Sequence, residues 1–357
     1  YRKLLLIELK KKKFFHLVTL SPFDKYSQEV SKFSLNIPWR VSRSKNKNII
    51  SLLISLLRLI FIFRSFKPKL VHSHTLKTNF LTSIASFIYG IPCVISFAGL
   101  GQIKNSRGLK RFLMLSIVRF IGFLSHKQIY DKWIIKNEKR TAFIFQNKND
   151  MNFIKELIYI PNSKSILIYG SGVPKDYIKK DKKNNWITKT NSDQNKQYLK
   201  LNPIYLGRLL ESKGIMTFIK LSKYYSDSNF SIFGSIDESS NDSLSEKDIK
   251  KYHLENKNIH FFGKLEKPLI NKKFNYPILI VPSLYGEGIP RGIIEALALK
   301  IPVISSKEAA SGIFNESYIY ISKDNTLKSY IDCINKITSD HKSGKLIKKL
   351  EKGNIFV

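Results

Sequence analysis

Short, continuous apolar runs alternate with stretches of helical period almost throughout this chain, and that alternation most constrains what it can fold into. Pro277-Ile278-Leu279-Ile280-Val281-Pro282 is apolar at every position and bounded by prolines, as a buried strand should be. Strands of this kind separated by helices give α/β architecture with parallel sheets. In the first half the pattern predicts a helix near Arg2 to Lys12, a strand at Phe15 to Leu20, a helix at Ile49 to Phe66 and a strand at Lys69 to His72. A helix near Lys77 to Tyr89, a strand at Pro92 to Ser96, a long helical region from Leu109 to about Asn137, and strands at Ala142 to Phe145 and Ser165 to Tyr169 follow. The second half restarts with strand Pro203 to Leu206, helix Ile215 to Tyr225, strands Phe230 to Phe233 and Ile259 to Phe262, the Pro277 strand with its helix, and strand Pro302 to Ser305.

A length of 357 residues suggests about two domains. The stretch from Ile178 to Lys200 turns polar, rich in Lys, Asn, Asp and Thr with a lone Trp186, and reads as a linker or loop insertion. The expected division is therefore 1–175, a linker at 176–200, and 201–357. Two doubly wound halves of this kind make a two-lobed enzyme with a cleft between the lobes, and ligands bind outside the carboxyl ends of the strands.

The formal net charge is +34, far beyond what solubility needs. It points to an anionic partner: membrane lipid, nucleic acid or a phosphorylated substrate. Part of the excess reflects a composition rich in Lys, Asn and Ile. Cys93 and Cys333 stand far apart with no Cys/His cluster beside them, which fits a reduced cytoplasmic protein without structural zinc. The most apolar run, Ile49 to Phe63, contains Arg58 and is too short to cross a bilayer of about 30 Å, so a packed helix is expected there. Gly108 to Arg140 combines apolar bulk with a cationic fringe; it suits either an anionic membrane interface or an internal helix with a solvated basic edge.

Chemistry concentrates in two loops that follow strands. Tyr205-Leu206-Gly207-Arg208-Leu209-Leu210-Glu211-Ser212-Lys213-Gly214 runs from a strand through a Gly-Arg turn into a helix. Arg208 offers a planar fork and Lys213 a point charge, and both could reach a diphosphate. Downstream, Glu287 and Glu295 stand eight positions apart across Gly288-Ile289-Pro290, with Pro290 placed in the first helical turn and Glu295 about a turn and a half into the helix. Unpaired N–H groups at such a helix start attract an anion. Taken alone, the pair is no more than a surface Glu and a helix-start Glu favoured by the macrodipole. Beside Arg208 and Lys213 it becomes a constellation of cations for a diphosphate and carboxylates for hydroxyls.

The chain here resembles the retaining nucleotide-sugar glycosyltransferases of the GT-B type, the large family-4 group (glycosyl transferases group 1) that builds lipopolysaccharide, capsule and lipid-linked oligosaccharides. Gly207-Arg208 to Lys213-Gly214, Gly234, Phe261-Phe262-Gly263, Pro282-Ser283, Glu287-Gly288-Ile289-Pro290-Arg291 to Glu295-Ala296, and Ile301-Pro302-Val303-Ile304 carry the resemblance in order. It implies two Rossmann-like domains facing a central cleft, the first on the acceptor side and the second binding the donor. It implies that Arg208 and Lys213 neutralise the donor diphosphate, that Glu287 bonds the sugar, that Glu295 holds the ribose hydroxyls, and that the backbone at Gly207, Gly288, Ile289 and Pro290 borders the donor. The first half is more loosely similar. Val71-His72-Ser73-His74-Thr75 looks like the family's strand-end His-x-His-Thr, and Phe97-Ala98-Gly99-Leu100-Gly101 like its next glycine turn, although many relatives have His where Ala98 stands. His74, Gly99 and Gly101 are the acceptor-side candidates; structural or loop histidines remain the plainer reading, and His74 faces the cleft better than His72 only if the strand ends at His72. Relatives begin with a strand and end with a helix crossing back to the first lobe, so this sequence is expected to be truncated at both ends.

The expected activity is metal-independent, retaining hexosyl transfer without a cofactor, from a nucleoside-diphosphate sugar, a UDP-sugar by preference, to a polyprenyl-diphosphate-linked or oligosaccharide acceptor. The expected place is the cytoplasmic face of the cell membrane, held peripherally on an anionic membrane surface. No Asp-x-Asp stands at a predicted strand end, no second carboxylate suits a glycosidase, and no recognisable nucleic-acid module appears. A basic nucleic-acid-binding protein and an inactive structural homologue are the alternatives.

Overall fold

In the computed structural model, the described residues are 3–12, 16–21, 27–39, 49–125, 141–170, 172–173, 186, 200–238, 240–265, 274–286, 288–310 and 314–356, the side chains of 3, 49, 102 and 105 excepted. The chain divides into two compact units. The first comprises Tyr1–Ala98, Ser106–Gln146 and Asp150–Ser171; the second comprises Gly99–Asn105, Asn147–Asn149 and Gly172–Val357.

The first unit contains the strands β1 (Val18–Ser21), β2 (Leu35–Pro38), β3 (Val71–His74), β4 (Cys93–Phe97), β5 (Thr141–Phe145) and β6 (Ser165–Leu167). β3-β4-β5-β6 form one parallel sheet in chain order, and β1 and β2 pair in parallel as a separate ribbon. The helices up to this point are α1 (Lys3–Lys11), α2 (Ser27–Ser31), α3 (Ile49–Phe66), α4 (Leu76–Tyr89), α5 (Gly101–Asn105), α6 (Gly108–Ser125) and α7 (Lys148–Leu157). α4 lies against both α3 and α6. Leu59, Ile62 and Phe63 of α3 close a core with Leu81 and Ala85 of α4 and with Trp39. Of the long helical region expected from Leu109 to about Asn137, α6 accounts for the part up to Ser125, and 126–140 lie outside the described residues. β3 begins two residues later than expected because Lys67, at positive φ, and Pro68 keep the preceding backbone out of the ladder.

In the second unit β7 (Asn202–Leu206), β8 (Phe230–Phe233), β9 (Ile259–Phe261), β10 (Pro277–Val281), β11 (Val303–Ser305) and β12 (Tyr320–Ile321) make one parallel sheet in the order β9-β8-β7-β10-β11-β12. The continuous apolar runs are explained by burial on both faces. Ile278 and Ile280 enter one core with Tyr205, Ile232 and Ile304, while Leu279 enters the opposite core with Ile204, Phe233 and Val303. The helix Arg291–Ala298 closes the second core with Ile293, Ile294 and Leu297. The last helix, Lys345–Phe356, inserts Leu346 and Leu350 into the first, and its Asn354 donates through Nδ2 to the carbonyl of Ala298 at 2.9 Å.

Candidate active site

The strand order reverses between β7 and β10. The chain leaves β7 toward β8 and β9 on one side, and leaves β10 toward β11 and β12 on the other. Ligands of open parallel sheets bind outside the strands' carboxyl ends at such a switch point. The loops that leave β7 and β10 are the two that the sequence singles out: 207–214 after β7 and 282–290 after β10.

The 207–214 loop is clamped from both sides. On one side the Gly207 N–H donates to Phe233, that of Leu209 to Ser235 and that of Glu211 to Asp242, while the Asp242 carboxylate accepts from the Ser212 N–H at 3.1 Å. A Cβ on Gly234 would overlap the Gly207 carbonyl, so only glycine allows this approach. On the other side the Leu284 N–H donates to Ser212 at 2.9 Å. Gly214, at φ +75°, lies so close to Pro282 that a Cβ would overlap its carbonyl oxygen. The Ser306 hydroxyl holds the neighbouring Ser283 carbonyl at 2.6 Å and caps the Ala309 N–H.

Arg208 and Lys213 therefore sit on a rigid frame with their charged ends differently engaged. Arg208 Nη1 pairs with Asp237 Oδ2 at 2.5 Å, and the Asp237 backbone N–H is itself held by Ser243 Oγ at 3.0 Å. Lys213 Nζ lies 4.8 Å from the centre of the Tyr285 ring, a cation–π contact. Asp237 and Tyr285 were not anticipated from sequence. Asp237 carried one usable signal, an acidic residue just beyond the carboxyl end of a buried strand.

On the second loop, Glu287 lies outside the described residues. Gly288 is buried and Ile289 packs half-buried against the core under the Arg291 helix. Pro290 is the N-cap rather than part of the first turn, so Glu295 is the fifth helical residue, just over one turn in. The sequence pattern puts Glu295 slightly deeper, with Pro290 in the first turn, but the Pro290 ψ of 116° is extended. Glu295 is buried and ion-paired with Arg291 (Nε to Oε1, 2.8 Å). Burial pushes its carboxyl above the ordinary range, and the Arg291 charge offsets this only in part.

A raised carboxylate pKa has a definite consequence for stability. Between the unfolded and folded pKa values the folded chain holds the extra proton, so stability falls as pH rises through that window and the penalty is complete above it. Glu295→Gln is expected to melt at a higher temperature than the wild type at neutral pH, with the gap closing as pH falls below the unfolded carboxylate value of about 4. Arg291, whose side chain is more than a third exposed, can turn to water in the variant. Thermal melts across this pH range check the sign.

Of the acceptor-side candidates, His74 is the last residue of β3, which runs on past His72. The two histidines project to one side of the strand with ring centres 4.1 Å apart, and His72 Nε2 meets Ser96 Oγ at 2.7 Å. The strand thus fails to end where His74 would have been better presented than His72. Gly99, at φ +86°, and Gly101 group with the second unit although they directly follow β4. A Cβ on Gly101 would overlap the Gly286 carbonyl and crowd the Tyr285 ring, so this glycine turn abuts the loop that carries the Lys213 partner.

Two Rossmann-like parallel sheets, the second with its switch point between β7 and β10, define the fold class. The fold is that of the GT-B glycosyltransferases: HepE from Anabaena, solved with UDP-glucose, superposes with a TM-score of 0.68 over 99% of this chain and 90% of its own, at 15% identity. Residues 182–352 match the family described as Glycosyl transferases group 1. The chain is also 24% identical over 364 residues to the capsular polysaccharide biosynthesis glycosyltransferase CapM of Staphylococcus aureus, covering 93% of this chain and 89% of CapM. It is 25% identical over 309 residues to the UDP-Gal:alpha-D-GlcNAc-diphosphoundecaprenol alpha-1,3-galactosyltransferase of Escherichia coli, covering 83% and 73% respectively. The chain is a glycosyltransferase and carries a glycosyl transferases group 1 domain.

Proposed function

We propose that this glycosyltransferase moves a hexosyl residue, with retention of anomeric configuration, from a UDP-sugar to a lipid-linked or oligosaccharide acceptor in cell-surface polysaccharide synthesis. The observation that carries the reading is the pair of cations, Arg208 and Lys213, on one clamped loop at the switch point, with buried Glu295 on the helix that starts beyond the adjacent strand. The relatives supply the substrate class: CapM is named for capsule synthesis, the Escherichia coli enzyme for UDP-Gal and a diphosphoundecaprenol acceptor, and HepE was solved with UDP-glucose. The anomeric C–O bond to the diphosphate breaks as negative charge grows on the leaving phosphate, and an acceptor oxygen bonds to the same carbon from the same face, passing its proton to the departing diphosphate oxygen. Arg208 and Lys213 stabilise that charge more in the transition state than in the ground state, serving where a metal serves in other transferases. Glu295 accepts from the ribose hydroxyls, Glu287 bonds the sugar, and the backbone from Gly288 to Pro290 borders it. His74 and Gly99 belong to the acceptor side of this scheme. The enzyme works peripherally at the cytoplasmic membrane face.

A panel of UDP-, GDP- and ADP-sugars tests the donor assignment. At a hundred times Kd, ligand binding stabilises by about 2.7 kcal/mol, so a UDP-sugar is expected to raise the melting temperature by about 5–10 °C. The shift disappears in Arg208→Ala and in Lys213→Ala. Failure of every nucleotide to bind, alongside tight salt-sensitive DNA binding, overturns the reading.

A further inference from the structure

Helix α3 is apolar nearly all round, yet only one side of it is packed. The packed side carries Leu59, Ile62 and Phe63. On the opposite side Ile50, Leu53, Ile54, Leu57 and Phe61 are between 54% and 68% exposed. Their spacing of three, four, seven and eleven residues from Ile50 puts them on a single stripe along the 18-residue helix. The packed helix expected from the sequence is therefore half right. A continuous exposed apolar stripe of this kind marks a contact surface. A second, smaller patch lies at the start of α6, where exposed Leu109, Phe112 and Leu113 flank Lys110 and Arg111.

The charge pattern identifies what the stripe meets. No Asp or Glu occurs between Glu29 and Asp131, while sixteen Lys and Arg fall in that interval, which contains α3, α4 and α6. Arg58 and Arg64 belong to α3 itself, and Lys67 and Lys69 follow it directly. Two copies of such a face would set cations against cations with no carboxylate to pair them, which opposes self-association. Exposed apolar side chains on a stretch of chain whose charged residues are all cationic are instead complementary to anionic headgroups over acyl chains. No described helix is long and apolar enough to cross a membrane, so α3 would lie along the interface.

We propose that the exposed stripe of α3 is the surface by which this protein docks on an anionic lipid bilayer, with α3 inserted to the depth of its apolar side chains. The proposal rests on the peripheral-membrane reading above and names the contact surface for it. Co-sedimentation of the full chain with phosphatidylglycerol vesicles, and with phosphatidylcholine vesicles, tests it. The wild type is expected to bind the anionic vesicles, and Leu57→Gln/Phe61→Gln to bind them at least about tenfold more weakly. Both positions are exposed, so melting temperature and nucleotide-sugar binding are expected to stay unchanged. Wild-type protein that ignores phosphatidylglycerol vesicles overturns the membrane reading itself. Equal binding by wild type and variant leaves that reading standing and overturns the role of α3. Equal binding together with a wild-type dimer that the variant dissociates assigns the stripe to a second copy instead.

Discussion

Lys213→Ala is expected to lower kcat for sugar transfer by about 10²–10³ while leaving the melting temperature within about 2 °C of the wild type. On the proposed reading, the lysine meets a diphosphate whose charge increases as the glycosidic bond breaks. Its contribution is therefore larger in the transition state than in the bound donor, and kcat falls by more than the donor KM rises. The stability side follows from the local structure. Lys213 ends a short 3₁₀ turn whose shape is set by backbone bonds and by Gly214, and its ammonium lies over the Tyr285 ring. Arg208→Lys separates charge from shape: a lysine keeps the cation but cannot fork, so it should recover only part of what Arg208→Ala loses. Steady-state kinetics paired with melts on the same samples decide the matter. A Lys213→Ala enzyme with normal kcat would remove this lysine from the diphosphate site.

The residues around that prediction differ in how far the sequence revealed them. β8, β10 and the helix Ile215–Tyr224 were legible because parallel strands buried on both faces are written as unbroken apolar runs, and the helix as a periodic one. The position of Arg208 was legible because a cation just after such a run sits at a strand's carboxyl end whatever the rest of the fold does, and that of Lys213 because Lys-Gly leads into the next helix. Asp237 and Tyr285 were not, since each joins its partner through the sheet order, which no local pattern encodes. Gly101 follows β4 in sequence and so belongs by position to the first half, but it abuts Gly286. Some elements went unread although a signal was present. The helix Glu246–Glu255 starts with a Ser245/Asp248 capping box, and Ser-x-x-Asp was there to see. The exposed side of α3 had no signal of its own, because a helix apolar all round reads as buried in any window.

Trp186→Ala is expected to destabilise the second unit by about 3–5 kcal/mol, lowering its melting temperature by about 10–15 °C. The sequence offers little warning of this, for Trp186 is a single aromatic in a polar stretch with no period around it. In the fold its indole is 1% exposed within the core formed by Leu201, Tyr276 and Ile278. The ring meets Tyr276 and His341 edge-on, with centres 4.9 and 5.1 Å away, and its Nε1–H donates to the carbonyl of Pro277 at 2.7 Å. Alanine leaves a cavity that a closely packed sheet cannot fill and deprives a buried carbonyl of its donor. Trp186→Phe restores most of the volume but not the hydrogen bond, and should cost about 1–3 kcal/mol. Pro277 opens β10 at the end away from the candidate site, about 13 Å from the loop that leaves Val281. Donor affinity measured well below the lowered melting temperature should therefore match the wild type, the mirror image of Lys213→Ala. Denaturant or thermal melts that move by less than about 1 kcal/mol would mean that the Trp186 side chain is not part of the second unit's core.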